Sequence, residues 1–202
     1  MKFDALIIGG GAAGMSCALV LGSAGERPYC LDKRIGIILH QKTSHLQTAL
    51  FNNVLGLPAG TTGYSVLEQG KQQLKTNYPH VVQIEKEKVL EITSSAEGFI
   101  VKTNKNQYQA VKVVIAVGYT EPLTIKGLEE FKIPHQKSSP AKNRIQLKNN
   151  DHLIAPDLYV AGSLAGHRSQ YSIACGSGAA VATDILTEWN DGVPSMVHDK
   201  LK

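Results

Sequence analysis

The sequence has no run of eighteen apolar residues, so it encodes no transmembrane helix of ordinary length. It also has no block of five or six like charges. Its 21 Lys and Arg and 17 Asp and Glu are spread along 202 residues and leave a net charge of +4. That spread argues against a nucleic-acid partner. Cysteine is scarce. Cys17, Cys30 and Cys175 form an odd set with no Cys-x-x-Cys spacing, which leaves a disulfide framework, a zinc site and a dithiol redox pair without support. Reduced thiols in a cytoplasmic protein fit this usage best. Internal repeats and low-complexity segments are absent. What the chain does have is glycine, 19 residues of it, and 43% apolar residues, enough to bury one core. The length predicts one domain, residues 1–190, followed by a polar tail over 191–202.

Lys2 and the apolar stretch up to Ala24 have the outline of a signal peptide. Asp4 interrupts it, and five glycines fall between Gly9 and Gly22. A glycine-rich phosphate loop explains those glycines better than a secretory leader does. Residues 3–8 predict a short buried strand, Ala12–Ser23 a helix, and 27–31 a second strand ending at Asp32. Strand, loop, helix and strand within about 30 residues is the size of a βαβ unit. Residues 35–59 read mostly as loop with one helical turn. A helix is expected over 64–78 and a third parallel strand over 81–84. Residues 89–94, 98–103 and 107–110 predict an antiparallel meander that turns at Asn104-Lys105-Asn106. Buried strands over 112–117 and 158–161, an irregular stretch over 119–150 and a last helix over 172–189 complete the α/β pattern.

Gly9-Gly10-Gly11-Ala12-Ala13-Gly14 fits G-x-G-x-x-G between the first strand and the first helix. Gly9 makes the tight turn in this reading. Gly11 lets a pyrophosphate approach the backbone, and Gly14 lets the helix pack close to the strand. The helix N-terminus offers its unpaired N–H groups to the phosphates. Asp32, 23 positions after Gly9, is the expected acceptor for a ribose diol. The motif by itself does not separate NAD from FAD.

Four segments in order resemble the FAD half of the thioredoxin reductase-like (pyridine nucleotide-disulfide oxidoreductase) flavoproteins. The first is the glycine loop. The second runs from Asn52-Asn53 through Val54-Leu55-Gly56-Leu57-Pro58 to Gly60. The third is Val114-Ile115-Ala116-Val117-Gly118 with Pro122. The fourth is Pro156-Asp157-Leu158-Tyr159-Val160-Ala161-Gly162-Ser163, continued by Ser169-Gln170 and Ala174-Cys175-Gly176-Ser177-Gly178. The resemblance implies a Rossmann-like FAD-binding domain: a parallel sheet with helices and a small antiparallel β-meander. It implies FAD contacts from Gly9, Gly11, Ala12, Ala13, Gly14, Asp32, Lys33, Asn53, Val89, Ala116, Gly118, Gly162, Ser163, Gln170 and Tyr171. No metal is expected. The family's acid beside the ribityl chain is replaced here by Ser163.

Between the third and fourth segments the family normally inserts an NAD(P)H domain. Here Tyr119 to Ala155 is 37 residues, with no second glycine fingerprint and no cysteine pair. The expected protein is a single-domain flavoprotein with oxidoreductase chemistry. Its electron donor and acceptor, a redox partner protein or a small molecule, lie outside the chain. The alternative is a non-catalytic FAD-binding module or subunit. A homodimer is expected, because the family pairs through its FAD domains.

No catalytic residue is assigned. His40, His45, His135 and His167 are candidates to move a proton at the flavin, set against the plainer reading of solvated loop histidines. His167 and Arg168 rank first because they precede Gln170. Cys175 near a helix start is a candidate reactive thiol, with an inert packing residue as the plainer reading. Lys33 and Arg34 read either as a pocket for a 2′-phosphate or as solvated bases.

Overall fold

The computed structural model describes residues 1–40 and 44–198. In chain order its strands and helices are β1 (Lys2–Ile8), α1 (Ala12–Ser23), β2 (Ile35–Leu39), β3 (Leu50–Phe51), β4 (Thr61–Thr62), α2 (Gly63–Asn77), β5 (Val82–Glu85), β6 (Val89–Ser95), β7 (Gly98–Thr103), β8 (Gln107–Ile115), β9 (Lys132–Pro134), β10 (Ile145–Leu147), β11 (Leu153–Ala155), β12 (Leu158–Val160) and α3 (Tyr171–Trp189). The main sheet runs β11-β12-β8-β1-β2-β5, with β7 and then β6 attached antiparallel to β8. The pairs β12-β8, β8-β1, β1-β2 and β2-β5 are parallel.

β1 shows why this sheet is buried on both sides. Ala5 and Ile7 face one core with Leu21, Val181 and Ile185 of α1 and α3, while Leu6 and Ile8 face a second core with Ile38, Val113 and Ile115. A parallel sheet covered on both faces is what continuous apolar strands build. α1 and α3 lie close together on the first face. A Cβ at Gly178 would collide with the Ala13 carbonyl, so glycine is what lets the two helices approach.

The second strand is not where the sequence placed it. Residues 28–30 form a 3₁₀ turn led by Pro28, and β2 is the Ile35-Gly36-Ile37-Ile38-Leu39 run assigned to loop. Gly36 made that run look like a loop, yet it lies under the Phe3 ring, where a Cβ would stand 2.9 Å from Cδ1. The third meander strand and the strand expected at 112–117 are one strand, β8. Its N-terminal half pairs with β7 and its C-terminal half with β12, both on the side away from β1. Its burial changes from alternating to continuous at Lys112. Lys112 is buried because Asp157 and Glu188 take its ammonium, and Tyr159 also donates to Glu188. Burial opposes the ammonium charge, but the two carboxylates outweigh it and raise its pKa.

The stretch from Tyr119 to Asn150 is irregular apart from short turns and the β9–β10 hairpin. It is nonetheless packed: Ile125, Leu128, Ile145 and Leu147 all join the second core. The C-terminal tail folds back on α3, with Ser195 N–H donating to Thr187 Oγ1 at 3.0 Å; residues 199–202 lie outside the described residues.

Candidate nucleotide-binding site

The C-terminal ends of β1, β2, β5, β8 and β12 open onto one cleft of about 850 Å³. Its floor is the glycine loop. Gly9 has φ +110°, which side chains disfavour, and a Cβ on it would strike the Ala116 carbonyl. A Cβ on Gly14 would strike the Gly9 carbonyl, so the close packing predicted for that residue is what the loop requires. Gly11 differs. It is the N-cap of α1 with ordinary φ and ψ, and a Cβ on it would meet nothing nearer than Ser44 Oγ at 3.9 Å. The space over Gly11 belongs to the cleft. No side chain caps α1 and no acid occupies its first turn, so its N-terminus, which borders the cleft through Gly11, Ala12 and Ala13, keeps its partial positive charge uncompensated by a side chain of its own first turn.

The opposite wall is formed where β8 and β12 end. Ala116 and Gly118 line it, as do residues 120–125 of the following loop. Gly162 and Ser163 follow β12. They are held from behind by Ser177 Oγ, which accepts from Gly162 N–H at 2.8 Å, and by His135 Nε2, which donates to the Ser163 carbonyl at 3.1 Å. His135 Nδ1 accepts from Lys137 N–H at 3.1 Å, which fixes the proton on Nε2. α3 then starts at Tyr171 with Gln170 as N-cap, again without a side-chain cap or an acid in its first turn. Gln170 and Tyr171 line the cleft, and Tyr171 packs on Phe51 with ring centroids 4.8 Å apart.

The remaining end is bounded by His40 after β2, Ser44, and the Glu87-Lys88-Val89 turn after β5. Glu87 is buried and accepts from Thr103 Oγ1 at 2.6 Å, Asn106 Nδ2 at 2.6 Å and Tyr108 OH at 3.0 Å. Burial opposes its charge, but these donors win and hold the carboxyl below its usual range.

The cleft therefore brings together Gly9, Gly11, Ala12, Ala13, Asn53, Val89, Ala116, Gly118, Gly162, Ser163, Gln170 and Tyr171, with Gly14 packed beneath. Asp32 and Lys33 are not part of it. They precede β2, at the end of the sheet away from the glycine loop, where Lys33 Nζ lies 4.0 Å from Asp4 and Asp4 accepts from Arg34 N–H. Among the histidines, His40 and His45 line the cleft, whereas His135 serves the Ser163 carbonyl from behind. His167 turns away to His152, Nε2 to Nε2 at 3.1 Å, and His152 also meets Ser177 Oγ at 3.0 Å. Arg168 does line the cleft. Cys175 lies behind Tyr171 in a neighbouring apolar recess, and burial pushes its thiol pKa up despite a hydrogen bond with Tyr171. Helix position does not activate it. Ser44, Glu87 and, apart from Pro122, residues 120–125 are not among the sequence expectations. The only signal for the first two was proximity to the ends of β2 and β5, and β2 had been misplaced.

The family model for pyridine nucleotide-disulphide oxidoreductases matches residues 3–178, nearly all of the elements that build this cleft. The chain belongs to the pyridine nucleotide-disulphide oxidoreductase family. Solved structures with the same fold include an oxidoreductase from Agrobacterium tumefaciens (TM-score 0.71, 17% identity, 93% of this chain and 98% of that one). A thioredoxin reductase from Gloeobacter violaceus matches with a TM-score of 0.73 and 14% identity over 98% and 99%. A ferredoxin-flavin thioredoxin reductase from Clostridium acetobutylicum matches with a TM-score of 0.69 and 17% identity over 94% and 99%. No curated protein sequence matches the chain. Members of the pyridine nucleotide-disulphide oxidoreductase family and their thioredoxin reductase-like neighbours generally bind FAD. The cleft fits such a group: it has a glycine cradle with free space above Gly11 and Gly118, and uncapped helix ends at α1 and α3.

Proposed function

We propose that the chain holds FAD in this cleft and is a flavin-dependent oxidoreductase whose electron donor and acceptor come from outside the chain. The observation that carries the reading is the convergence of two uncapped helix N-termini, α1 and α3, on one cleft across the ends of parallel strands. FAD supplies two-electron redox chemistry when bound. The α1 N-terminus serves the pyrophosphate, with Gly11 leaving room for it. Ser163 serves the ribityl chain. Gln170, Tyr171 and the α3 N-terminus serve the pyrimidine edge, where a helix N-terminus favours negative charge. Arg168 adds a fixed positive charge to that side. Phe51, Leu123 and Ile125 give the cleft apolar walls that exclude water.

NAD(P)H is not the donor in the manner usual for the family. β8 leads into the packed segment around β9–β10 and returns directly to β11 and β12, with no second nucleotide fold among the described residues. The chain also offers no activated thiol for dithiol exchange: burial pushes Cys30 up to about 11 and raises Cys175 as well. That last observation equally suits a non-catalytic FAD-binding subunit. Anaerobic reduction followed by admission of oxygen or an artificial acceptor separates the two. Turnover with some donor supports the enzyme, and a bound flavin that only dithionite reduces supports the subunit.

The chain acts in the cytoplasm and pairs as a homodimer in this reading. Leu50, Leu55, Tyr64 and Ile173 leave large apolar surface exposed, which a second copy would cover. Light scattering that shows a monomer at high concentration would contradict the pairing.

A further inference from the structure

Bases and acids are not distributed alike along the chain. Residues 131–150 hold Lys132, Lys137, Lys142, Arg144 and Lys148, and no Asp or Glu. The rest of the chain has 16 bases and 17 acids, so the net charge of +4 resides in this segment. The segment is the β9–β10 hairpin, and it is tied to the rim of the cleft at two places. Ile145 N–H donates to the Tyr119 carbonyl at 3.0 Å and Arg144 Nη1 to Thr120 Oγ1 at 2.5 Å, while His135 Nε2 donates to the Ser163 carbonyl. The tip between the strands is fixed as well. Gln136 N–H donates to Oε1 of the buried Gln146 at 2.9 Å, Lys137 N–H to His135 Nδ1 at 3.1 Å, and Lys142 N–H to the Ser139 carbonyl at 3.0 Å.

The acids that border the hairpin are already engaged. Glu121 accepts from Lys132 Nζ at 2.9 Å, and Asp151 faces His152 Nδ1 at 3.6 Å. Among the described residues Lys137, Lys142 and Arg144 make no ion pair, and the two lysines are exposed. The Arg144 guanidinium lies 5.0 Å from the centroid of the Tyr119 ring. Burial holds the His167 imidazole below its usual range, and His152 and the Lys137 ammonium add to it, so Lys137 stands on the side where His167 leads into Arg168. Arg168 carries the positive charge on to the wall of the cleft.

We propose that the β9–β10 hairpin is a docking surface for a small acidic redox protein, which meets the mouth of the cleft beside Arg168. This rests on the proposed function, which leaves the electron donor and acceptor outside the chain. Charge complementarity selects an acidic partner: an acid-free basic face steers an acidic one toward it and disfavours a basic one. Breadth selects a protein. Lys137 and Lys142 do not line the cleft, so a small molecule seated there meets Arg168 and leaves the charge of the hairpin tip unused. A nucleic acid finds less to hold. Tyr119 is buried, and the hairpin exposes no aromatic ring on which a base could stack. The fixed tip presents its cations without first having to be ordered, which lowers the cost of a short-lived encounter.

The test is calorimetric titration of the full chain with oxidised flavodoxin, a small acidic FMN protein, at about 20 mM and about 200 mM salt. The native chain is expected to bind at the lower salt and to weaken about tenfold or more at the higher. The Lys137→Glu, Lys142→Glu double variant is expected to lose about tenfold or more at the lower salt. A control with the same change in net charge, Lys75→Glu on α2 with Lys102→Glu on β7, is expected to stay within about twofold of native. No binding by the native chain, equal losses in the two double variants, or tighter binding of a single-stranded oligonucleotide than of flavodoxin would each overturn the docking surface. Flavin content, measured on the same samples, is a separate readout. A chain that keeps FAD and ignores flavodoxin overturns the surface alone, and a chain that binds flavodoxin through the hairpin but takes up no FAD overturns the cofactor reading alone.

Discussion

Gly11 and Gly14 are three residues apart in one motif, yet they answer to different constraints. Gly14 is needed by the fold, because its Cβ would run into the Gly9 carbonyl. Gly11 is under no such steric limit, since its backbone conformation suits any residue and the space above it is cleft, and the proposed pyrophosphate is what would use that space. Gly11→Val should therefore abolish flavin content while leaving circular dichroism and the melting transition close to native. Normal flavin content in that variant would contradict the phosphate-loop assignment. Ser163 lies across the cleft, and its carbonyl is anchored by His135. A carboxylate accepts hydrogen bonds roughly twice as strongly as a neutral hydroxyl. Ser163→Asp should tighten FAD by about two- to tenfold, or ~0.5–1.5 kcal/mol, and Ser163→Ala should weaken it slightly. Equal dissociation constants for the three, in titrations of the flavin-free protein, would mean that this side chain does not meet the cofactor. The glycine loop was legible as G-x-G-x-x-G between the first strand and the first helix, and Ser163 was named only through the family resemblance.

At the level of elements, legibility followed how local the controlling contact is. α1 was placed to the residue because the glycine loop sets its start. β2 was missed because Gly36 breaks the apolar run locally, and its reason, the Phe3 ring, lies on another strand. β8 was split because its two halves face different neighbours. The polar cluster that joins the turn before β11 to the loop after β12 was also invisible. Asp151 and His152 take left-handed conformations there, and His152 meets His167 and Ser177. Burial pushes both imidazoles below their usual range. Asp151 partly opposes this for both, while His152, Lys137 and His135 add to it for His167. The unfolded chain titrates near the ordinary value of about 6.5, so below it the unfolded state binds more protons than the folded one. The stability these groups contribute is present above that pH and is lost as pH falls toward their folded values. The thermal midpoint should drop between about pH 7.5 and about pH 5.5, and should drop less in the His152→Gln, His167→Gln double variant. Equal slopes would place the acid sensitivity elsewhere.

For the whole molecule, the proposed function has one sheet serve one nucleotide. The return from β8 to β12 takes the short packed route through the β9–β10 hairpin, whose apolar residues close the second core. NADPH and NADH should consequently reduce the bound flavin slowly or not at all. Stopped-flow reduction that saturates with NADPH would contradict this and would require a pyridine nucleotide site on the cleft itself. The overall class, a parallel sheet between helices with an attached meander, followed from the order of apolar runs and glycine turns. The capping role of the segment after Gly118 did not, because its apolar residues have no regular period to read. The most direct measurement is the flavin stoichiometry of the full chain after incubation with excess FAD and removal of free ligand. The account predicts one FAD per chain, retained through gel filtration and released when Gly11 is replaced by Val. A native chain that emerges colourless, with no more flavin than the Gly11→Val variant, would contradict it.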